Sequence, residues 1–111
     1  MKILRYAFAV LFITALFLFS AAGVHAEEDL KAEWNALNAL VVQAYNQGKY
    51  REAIEPAKQA LQYAEKHFGK EDPDTLTSLN NLATLYKAQG RYSEAEPLYK
   101  EGLQVCEKVL G

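Results

Sequence analysis

The chain has 111 residues, enough for one domain, and its formal net charge is −2. Its hydrophobic fraction of 50% is raised by the strongly apolar N-terminal segment. Residues 27–111 carry 10 lysines and arginines against 14 aspartates and glutamates, a net charge of −4. Because affinity for nucleic acids depends on clustered cations, no nucleic acid is expected as a partner. Cys106 is the only cysteine, so no internal disulfide is expected either.

The N-terminus has the organisation of a secretory signal. Two basic residues precede a nearly uninterrupted apolar run over residues 6–22, and small residues follow at Val24 and Ala26. This pattern predicts a signal peptide over residues 1–26, cleaved after Ala26, and therefore a secreted or periplasmic protein. The alternative is an uncleaved anchor, because a run of about 17 apolar residues lies at the lower limit for crossing a bilayer. Both alternatives place the remaining chain on the far side of a membrane from the cytoplasm.

The domain over residues 27–111 is organised by an internal repeat with an offset of 42 residues. Residues 34–69 align with residues 76–111 without a gap, and 14 of the 36 aligned positions are identical. The matches include both turn segments, GKYREA at 48–53 and GRYSEA at 90–95. Chance similarity between two helices would not bring both turn glycines and both following tyrosines into register. The pattern therefore indicates a duplicated unit.

Apolar residues recur at spacings of three and four along four segments, which predicts four amphipathic helices. The first begins near Leu30 and ends at Gly48, and the others span residues 50–68, 75–89 and 92–110. Glycine suits a helix end because it adopts a left-handed backbone without a steric penalty. Asp72-Pro73 suits the start of the third helix. The short connections predict antiparallel helical hairpins and an all-α fold.

Two prolines conflict with this simple pattern. Pro56 and Pro97 lie beyond the first residue of their predicted helices, where proline removes one backbone hydrogen bond. Either each helix bends near its start, or the last helix begins late with a capping box between Ser93 and Glu96. Both alternatives remain open at the level of the sequence.

The second repeat resembles a tetratricopeptide repeat. The residues that carry the resemblance are Leu82, Ala83, Tyr86, Gly90, Tyr92, Ala95, Tyr99 and Leu103. The 42-residue period, the segment DPDT at 72–75, the segment SLNNLA at 78–83 and the ending KVLG are similar to the kinesin-light-chain-like subclass. The first repeat departs from the family pattern, because Val41 stands at a small-residue position and the aromatic residue is Tyr45 rather than residue 44.

The resemblance implies a short α-solenoid of two units and four helices, with repeats at about 34–69 and 76–111. In this fold the small residues of each hairpin lie where its two helices cross, and the tyrosines fill the gap beside the turn. The structural positions are Gly48, Tyr50, Ala53, Gly90, Tyr92 and Ala95.

The resemblance also implies a function, because the family binds extended peptides or partner helices in a concave groove lined by the first helix of each repeat. The groove positions are Asn35, Asn38, Val42, Tyr45, Asn46, Thr77, Asn80, Thr84, Lys87 and Ala88. Asparagine, threonine and tyrosine can form hydrogen bonds with the backbone of a peptide ligand without requiring a particular side chain in that ligand. The alternative is that these residues form solvated helix faces without a ligand.

One subgroup of the family grips a C-terminal carboxylate with lysine, arginine and asparagine at fixed groove positions. Here Asn38 and Val42 stand where that clamp needs lysine and asparagine, and only Asn81 fits. A carboxylate clamp is therefore not expected. The expected partner is a protein or peptide.

No catalytic or metal site is expected within residues 27–111. His67 is the only histidine there, and Cys106 falls on an apolar stripe without a base nearby in the sequence. One histidine and one cysteine do not make a metal site. We therefore expect a non-enzymatic scaffold without a cofactor.

The last helix carries two apolar stripes. We expect one to pack on its hairpin partner: Tyr92, Ala95, Tyr99, Gly102, Leu103, Cys106 and Leu110. The other, Leu98, Val105 and Val109, is expected to remain uncovered as a candidate assembly face. Solenoids of this kind generally need about three repeats and a polar cap. The second stripe should then be covered by a second copy in a homo-oligomer, by a partner protein, or by further sequence of a longer repeat protein.

Overall fold

The computed structural model describes residues 22–111, with side-chain burial from residue 27 onward. The described part of the chain contains no strand. It contains four helices, α1 (Ala22–Asn46), α2 (Tyr50–His67), α3 (Pro73–Ala88) and α4 (Tyr92–Leu110). This confirms the predicted all-α fold of antiparallel hairpins.

The chain divides into two compact units, Met1–Ala32 and Glu33–Gly111. The second unit holds the residues discussed below. The proposed signal or anchor lies almost wholly outside the described residues. Within residues 22–111, none of the helices has the combination of length and hydropathy that crossing a bilayer requires.

Both hairpin turns depend on glycine. Gly48 and Gly90 have φ angles of 72° and 74°, in the left-handed region that residues with a side chain rarely adopt. The next amide then folds back onto its own helix: the Lys49 N–H donates to the carbonyl of Ala44, and the Arg91 N–H donates to that of Tyr86, both at 2.8 Å. The repeated turn in the sequence is therefore the same helix-ending geometry used twice.

The third helix begins at Pro73, as the Asp72-Pro73 start signal predicts, two residues before the predicted segment 75–89. Asp72 has an extended backbone and its Oδ1 accepts a hydrogen bond of 2.8 Å from the Asp74 N–H. The Thr75 hydroxyl donates to the carbonyl of Gly69 at 2.6 Å, which ties the start of α3 to the end of the connector. The Asp-Pro pair therefore acts as the helix start itself.

The prolines lie inside continuous helices. α2 and α4 begin at Tyr50 and Tyr92, and Pro56 and Pro97 fall within their second turns. The alternative of a late start for α4 is therefore wrong. In α2 buried residues lie on both sides of Pro56. In α4 the buried Ala95 precedes Pro97, and the partly buried Leu98 follows it and packs against the core.

The start of α4 uses an ion pair instead of the capping box between Ser93 and Glu96. Arg91 precedes the helix and forms no side-chain cap to the backbone. Its guanidinium donates two hydrogen bonds to the Glu94 carboxylate, at 2.8 and 2.7 Å, and lies 4.7 Å from the Tyr86 ring centre. The hydrogen bond raises the pKa of Arg91 and lowers that of Glu94. The pair therefore favours the folded state at neutral pH, and this contribution is lost as the pH falls through the Glu94 pKa.

The hydrophobic core is built around the alanines of α2. Ala53 and Ala57 are fully buried in a cluster that also holds Leu82 and Leu85 of α3. Ala60 and Ala64 are buried in a second cluster with Trp34 of α1. Because alanine side chains end at Cβ, larger side chains of both neighbouring helices fit against α2. The expected close packing at Ala53 and Ala95 is thus present in the structure.

The side chains of α4 are arranged differently from the prediction. Leu98, expected to be uncovered, packs against the core, Val105 is half-buried and Val109 is exposed. Tyr92 and Leu103, expected to pack on α3, are 63% and 60% exposed. The reason is that α4 rests on α3 through its small residues. A β-carbon placed on Gly102 would lie 3.5 Å from Leu79 Cδ2, in van der Waals contact with α3.

The two turn tyrosines also differ in their surroundings. Tyr50 packs against the core, and its ring centre lies 5.2 Å from that of Tyr45. Tyr92 is mostly exposed, so the prediction that it fills the gap beside its turn is wrong. The aromatic neighbour is missing from the second repeat, because Lys87 stands where the first repeat has Tyr45.

Ala95 tests the packing between α3 and α4. Ala95 is only 3% exposed, so Ala95→Leu adds atoms that the contact cannot hold without displacing a helix. We expect the free energy of unfolding to fall by roughly 1–3 kcal/mol, as for other overpacked cores. Urea denaturation followed by circular dichroism measures it. Ala88→Leu, at an exposed position of α3, is the control and should change stability little; equal stability of both variants would contradict the packing described here.

Candidate functional site

A cleft of about 200 Å³ lies between α1 and α3. Both helices are the first helices of their hairpins, so the cleft joins the two repeats. We call it the groove, and it is lined by Val41, Val42, Tyr45, Asn80, Asn81, Thr84 and Leu85. Val41 and Leu85 are buried, whereas Val42, Tyr45 and Asn80 are exposed.

Two hydrogen bonds between side chains join α1 to α3. The Trp34 indole Nε1–H donates to the Ser78 hydroxyl oxygen at 2.7 Å in a buried position. One helical turn further along, Asn81 Nδ2 donates to Asn38 Oδ1 at 2.9 Å in a partly buried position. The first bond pairs two polar groups in the interior, and the second pairs two partly buried amides. They also set the separation of the two helices that form the groove.

The structure brings together four of the predicted groove residues, Val42, Tyr45, Asn80 and Thr84. The two on α1 contribute exposed apolar and aromatic surface, and the two on α3 contribute an amide and a hydroxyl. The Thr84 hydroxyl also lies 3.3 Å from the Tyr99 hydroxyl, so this wall of the groove is connected to α4. The arrangement offers an apolar side and a polar side to one ligand.

The other predicted groove residues lie elsewhere. Asn38 is engaged by Asn81, and Asn35 and Asn46 are exposed outside the groove lining. The Thr77 hydroxyl donates to the carbonyl of Pro73 within its own helix at 3.0 Å. Lys87 is exposed and lines a separate surface beside Tyr92 and Tyr99 of α4.

Three lining residues were not among the predicted groove positions, namely Val41, Asn81 and Leu85. Val41 and Leu85 belong to the hydrophobic core, and their buried side chains form the bottom of the groove. In the sequence, Asn81 matches only the carboxylate-binding pattern of the family. Its position one residue from Asn80 at a helix face was the available signal, because adjacent helical residues can border the same cleft.

A second cleft of about 460 Å³ lies between α3 and α4. We call it the end cleft, and it is lined by Leu76, Thr77, Leu79, Asn80, Leu98, Tyr99, Gly102, Leu103 and Cys106. Its lining contains no charged side chain. The half-buried Cys106 thiol is therefore part of an apolar wall.

The chemistry-bearing residues do not gather at either cleft. The exposed His67 lies on α2 with its ring centre 4.4 Å from that of Tyr63. Among residues 22–111, no group of three histidine, cysteine, aspartate or glutamate side chains is placed to hold a metal ion. What the groove can do chemically is form hydrogen bonds and apolar contacts.

The bond between Trp34 and Ser78 can be measured by a double-mutant cycle. Trp34→Phe removes the donor and Ser78→Ala removes the acceptor, and both sites are buried. We expect each change to lower the free energy of unfolding and the pair to show a coupling of roughly 0.5–1.5 kcal/mol. Urea denaturation of the four proteins measures this coupling. Strictly additive losses would show that the bond does not help to hold α1 against α3.

A comparison with known protein families agrees with this geometry. The family model described as Tetratricopeptide repeat matches residues 35–108. The matched segment begins within α1, ends within α4 and contains every residue that lines the groove. Members of this family generally mediate protein–protein interactions and are typically non-enzymatic scaffolds. The chain belongs to the tetratricopeptide repeat family.

Proposed function

We propose that the chain is a non-catalytic scaffold that binds a peptide or a partner helix in the groove between α1 and α3. The observation that supports this most directly is the meeting of Val42, Tyr45, Asn80 and Thr84, which come from both repeats, at one cleft. Its volume of about 200 Å³ is below the ~300–1,000 Å³ of typical small-molecule sites. The groove is therefore suited to one bulky side chain of a longer ligand.

The walls of the groove indicate the chemistry of that ligand. Val42 and Tyr45 are 45% and 41% exposed, which is high for an apolar and an aromatic side chain in a folded protein. Opposite them, Asn80 can donate to and accept from a peptide backbone. A ligand with an apolar side chain between backbone amides satisfies both walls. The groove lining carries no charged side chain, so we expect its affinity to depend only weakly on salt.

A C-terminal carboxylate is a poor fit for the same groove. Asn81, the one residue that matches a carboxylate clamp, already donates to Asn38. Lys87 lies on a different surface. We therefore propose that the ligand is an internal segment of a protein.

We also infer membership of the kinesin-light-chain-like subclass, supported by the 42-residue period and by the Asp72 cap.

Peptides selected from a displayed library of random linear sequences provide a direct test. After selection on the purified protein, synthetic peptides are titrated against Val42→Asp and Asn80→Ala, which alter the two walls of the groove. We expect Val42→Asp to weaken binding by roughly tenfold or more, because it places a charge in the apolar wall. The smaller change at Asn80 should weaken binding less.

The matched controls are Gln62→Asp and Gln62→Ala, at an exposed position on α2 outside the groove. These should leave peptide affinity unchanged. Melting curves of all variants report whether the fold is retained. If the selected peptides bind the groove variants as tightly as the unmodified protein, the groove is not the binding site.

We further propose that the protein acts in the periplasm or outside the cell, after cleavage of residues 1–26. The support is the basic, apolar and small-residue order of that segment. Mass spectrometry of the protein recovered from producing cells should find Glu27 as the first residue. A mature protein that retains residues 6–22 and fractionates with membranes would instead support the anchor, and an intact soluble chain in the cytoplasm would contradict both.

A further inference from the structure

The groove and the end cleft border the same residues of α3. Asn80 lines both clefts. Thr84, one helical turn further along, lines the groove, and its hydroxyl lies 3.3 Å from that of Tyr99, which lines the end cleft. The two clefts therefore meet along a shared edge, and one ligand segment that crosses this edge can reach both.

The two clefts also offer the same kind of surface. The floor of the groove is formed by Val41 and Leu85, and the end cleft contains the buried Leu79 and the partly buried Leu98. Neither lining contains a charged side chain. An apolar side chain placed in either cleft is removed from water, which favours binding.

The first repeat shows how the end cleft arises. The counterparts of Leu76 and Gly102, 42 positions earlier, are Trp34 and Ala60. Trp34 is 5% exposed and packs in one buried cluster with Ala60. Leucine is smaller than tryptophan and glycine is smaller than alanine. Part of the volume that fills the first repeat is therefore missing from the second, and the end cleft of about 460 Å³ is open there.

The end cleft is not a copy of the junction between α1 and α3. In that junction the Trp34 indole donates a hydrogen bond to Ser78. Its counterpart Leu76 has no N–H group in its side chain. A helix placed on α3 as α3 is placed on α1 would lose this bond and would leave the volume of the indole empty, and such voids are destabilising. The cleft is better suited to a side chain of a ligand.

Asn80, on the shared edge, has an amide that is available to a ligand. Its counterpart Asn38 is engaged, because it accepts a hydrogen bond from Asn81 at 2.9 Å. Within the part of the chain that the structure describes, the exposed Asn80 side chain forms no hydrogen bond. A carboxamide can both donate and accept. Asn80 can therefore bond to the backbone of a segment that passes over it.

We propose that one extended segment of a partner protein crosses α3 at Asn80 and places one apolar side chain in the groove and a second in the end cleft. This mode of binding rests on the proposed function, because the first side chain occupies the groove. A helix with its side chains is ~10–12 Å wide, and an extended chain advances ~3.3 Å per residue. The two apolar residues of the partner are therefore three or four positions apart.

Peptides selected from a displayed library of random linear sequences are the probe. The full chain is used in mild detergent with micelles in large excess, so that residues 6–22 do not drive association. We expect the selected sequences to share two large apolar residues, three or four positions apart. Each selected peptide is then synthesised in two further versions, in which one or the other apolar residue is replaced by alanine.

Two variants alter the end cleft and leave the groove lining unchanged. Leu103→Asp places a charge at an exposed position of the end cleft, and Leu76→Trp fills the cleft with the residue of the first repeat. We expect each variant to weaken binding of the selected peptides by roughly tenfold. Gln104→Asp, at an exposed position outside both linings, is the matched control and should leave the affinity unchanged. Circular dichroism melting verifies that all variants fold.

Titrating the alanine versions against the variants gives the decisive result. One version should lose its sensitivity to Leu103→Asp and keep its sensitivity to Val42→Asp, and the other version should show the reverse. Such a pattern assigns each apolar residue of the peptide to one cleft, because the effects of two changes fail to add only where the changed groups interact.

Four results would overturn the proposal. If Val42→Asp weakens binding and the end-cleft variants do not, the proposed function holds and the second side chain is wrongly placed. If neither kind of variant matters, or if the library yields no binder, both proposals are wrong. If only the end-cleft variants matter, the segment does not cross α3. Self-association of the unmodified chain in sedimentation velocity, abolished by Leu103→Asp, would instead place a second copy in the end cleft.

Discussion

The close approach of α2 to both of its neighbours is the constraint on which the other features depend. Its alanines at positions 53, 57, 60 and 64 are almost completely buried. They allow Trp34 of α1 to pack on one side and Leu82 of α3 on the other. Because one helix supports both, α1 and α3 lie side by side and their side chains can bond directly. A bulkier α2 would separate them, and the groove would lose its floor.

The groove follows from a division of roles along α1 and α3. Side chains that face the partner helix are used for structure, in the bonds from Trp34 to Ser78 and from Asn81 to Asn38. Residues such as Val42 and Thr84, displaced around the helix, border the opening instead. The surface proposed to bind a ligand is thus formed by residues of α1 and α3 that do not pack between the two helices. We therefore expect a change at the exposed Val42 to cost the fold less than a change at the buried Val41 or Leu85.

Helical periodicity and the repeat predicted the four helices and their hairpins, because amphipathic spacing and glycine turns are local properties. Helical periodicity did not predict which side chains of α4 are exposed. Two apolar stripes lie side by side on this helix, and periodicity does not say which one meets α3. The small residues Ala95 and Gly102, counterparts of Ala53 and Ala60, marked the contact and were the better guide. The bond between Asn38 and Asn81 was also beyond the sequence, since it depends on how α1 and α3 are placed.

The differences between the two repeats show how one hairpin design serves two environments. Trp34 in the first repeat fills the space between α1, α2 and α3, whereas its counterpart Leu76 is smaller and borders the open end cleft. The buried Ala57 likewise has an exposed tyrosine, Tyr99, as its counterpart. Substitutions of this kind would be costly inside a junction, where volume is fixed by the neighbouring helix. They fit at Leu76 and Tyr99 because the end cleft and the exposed side of α4 are free of that restraint in the structure.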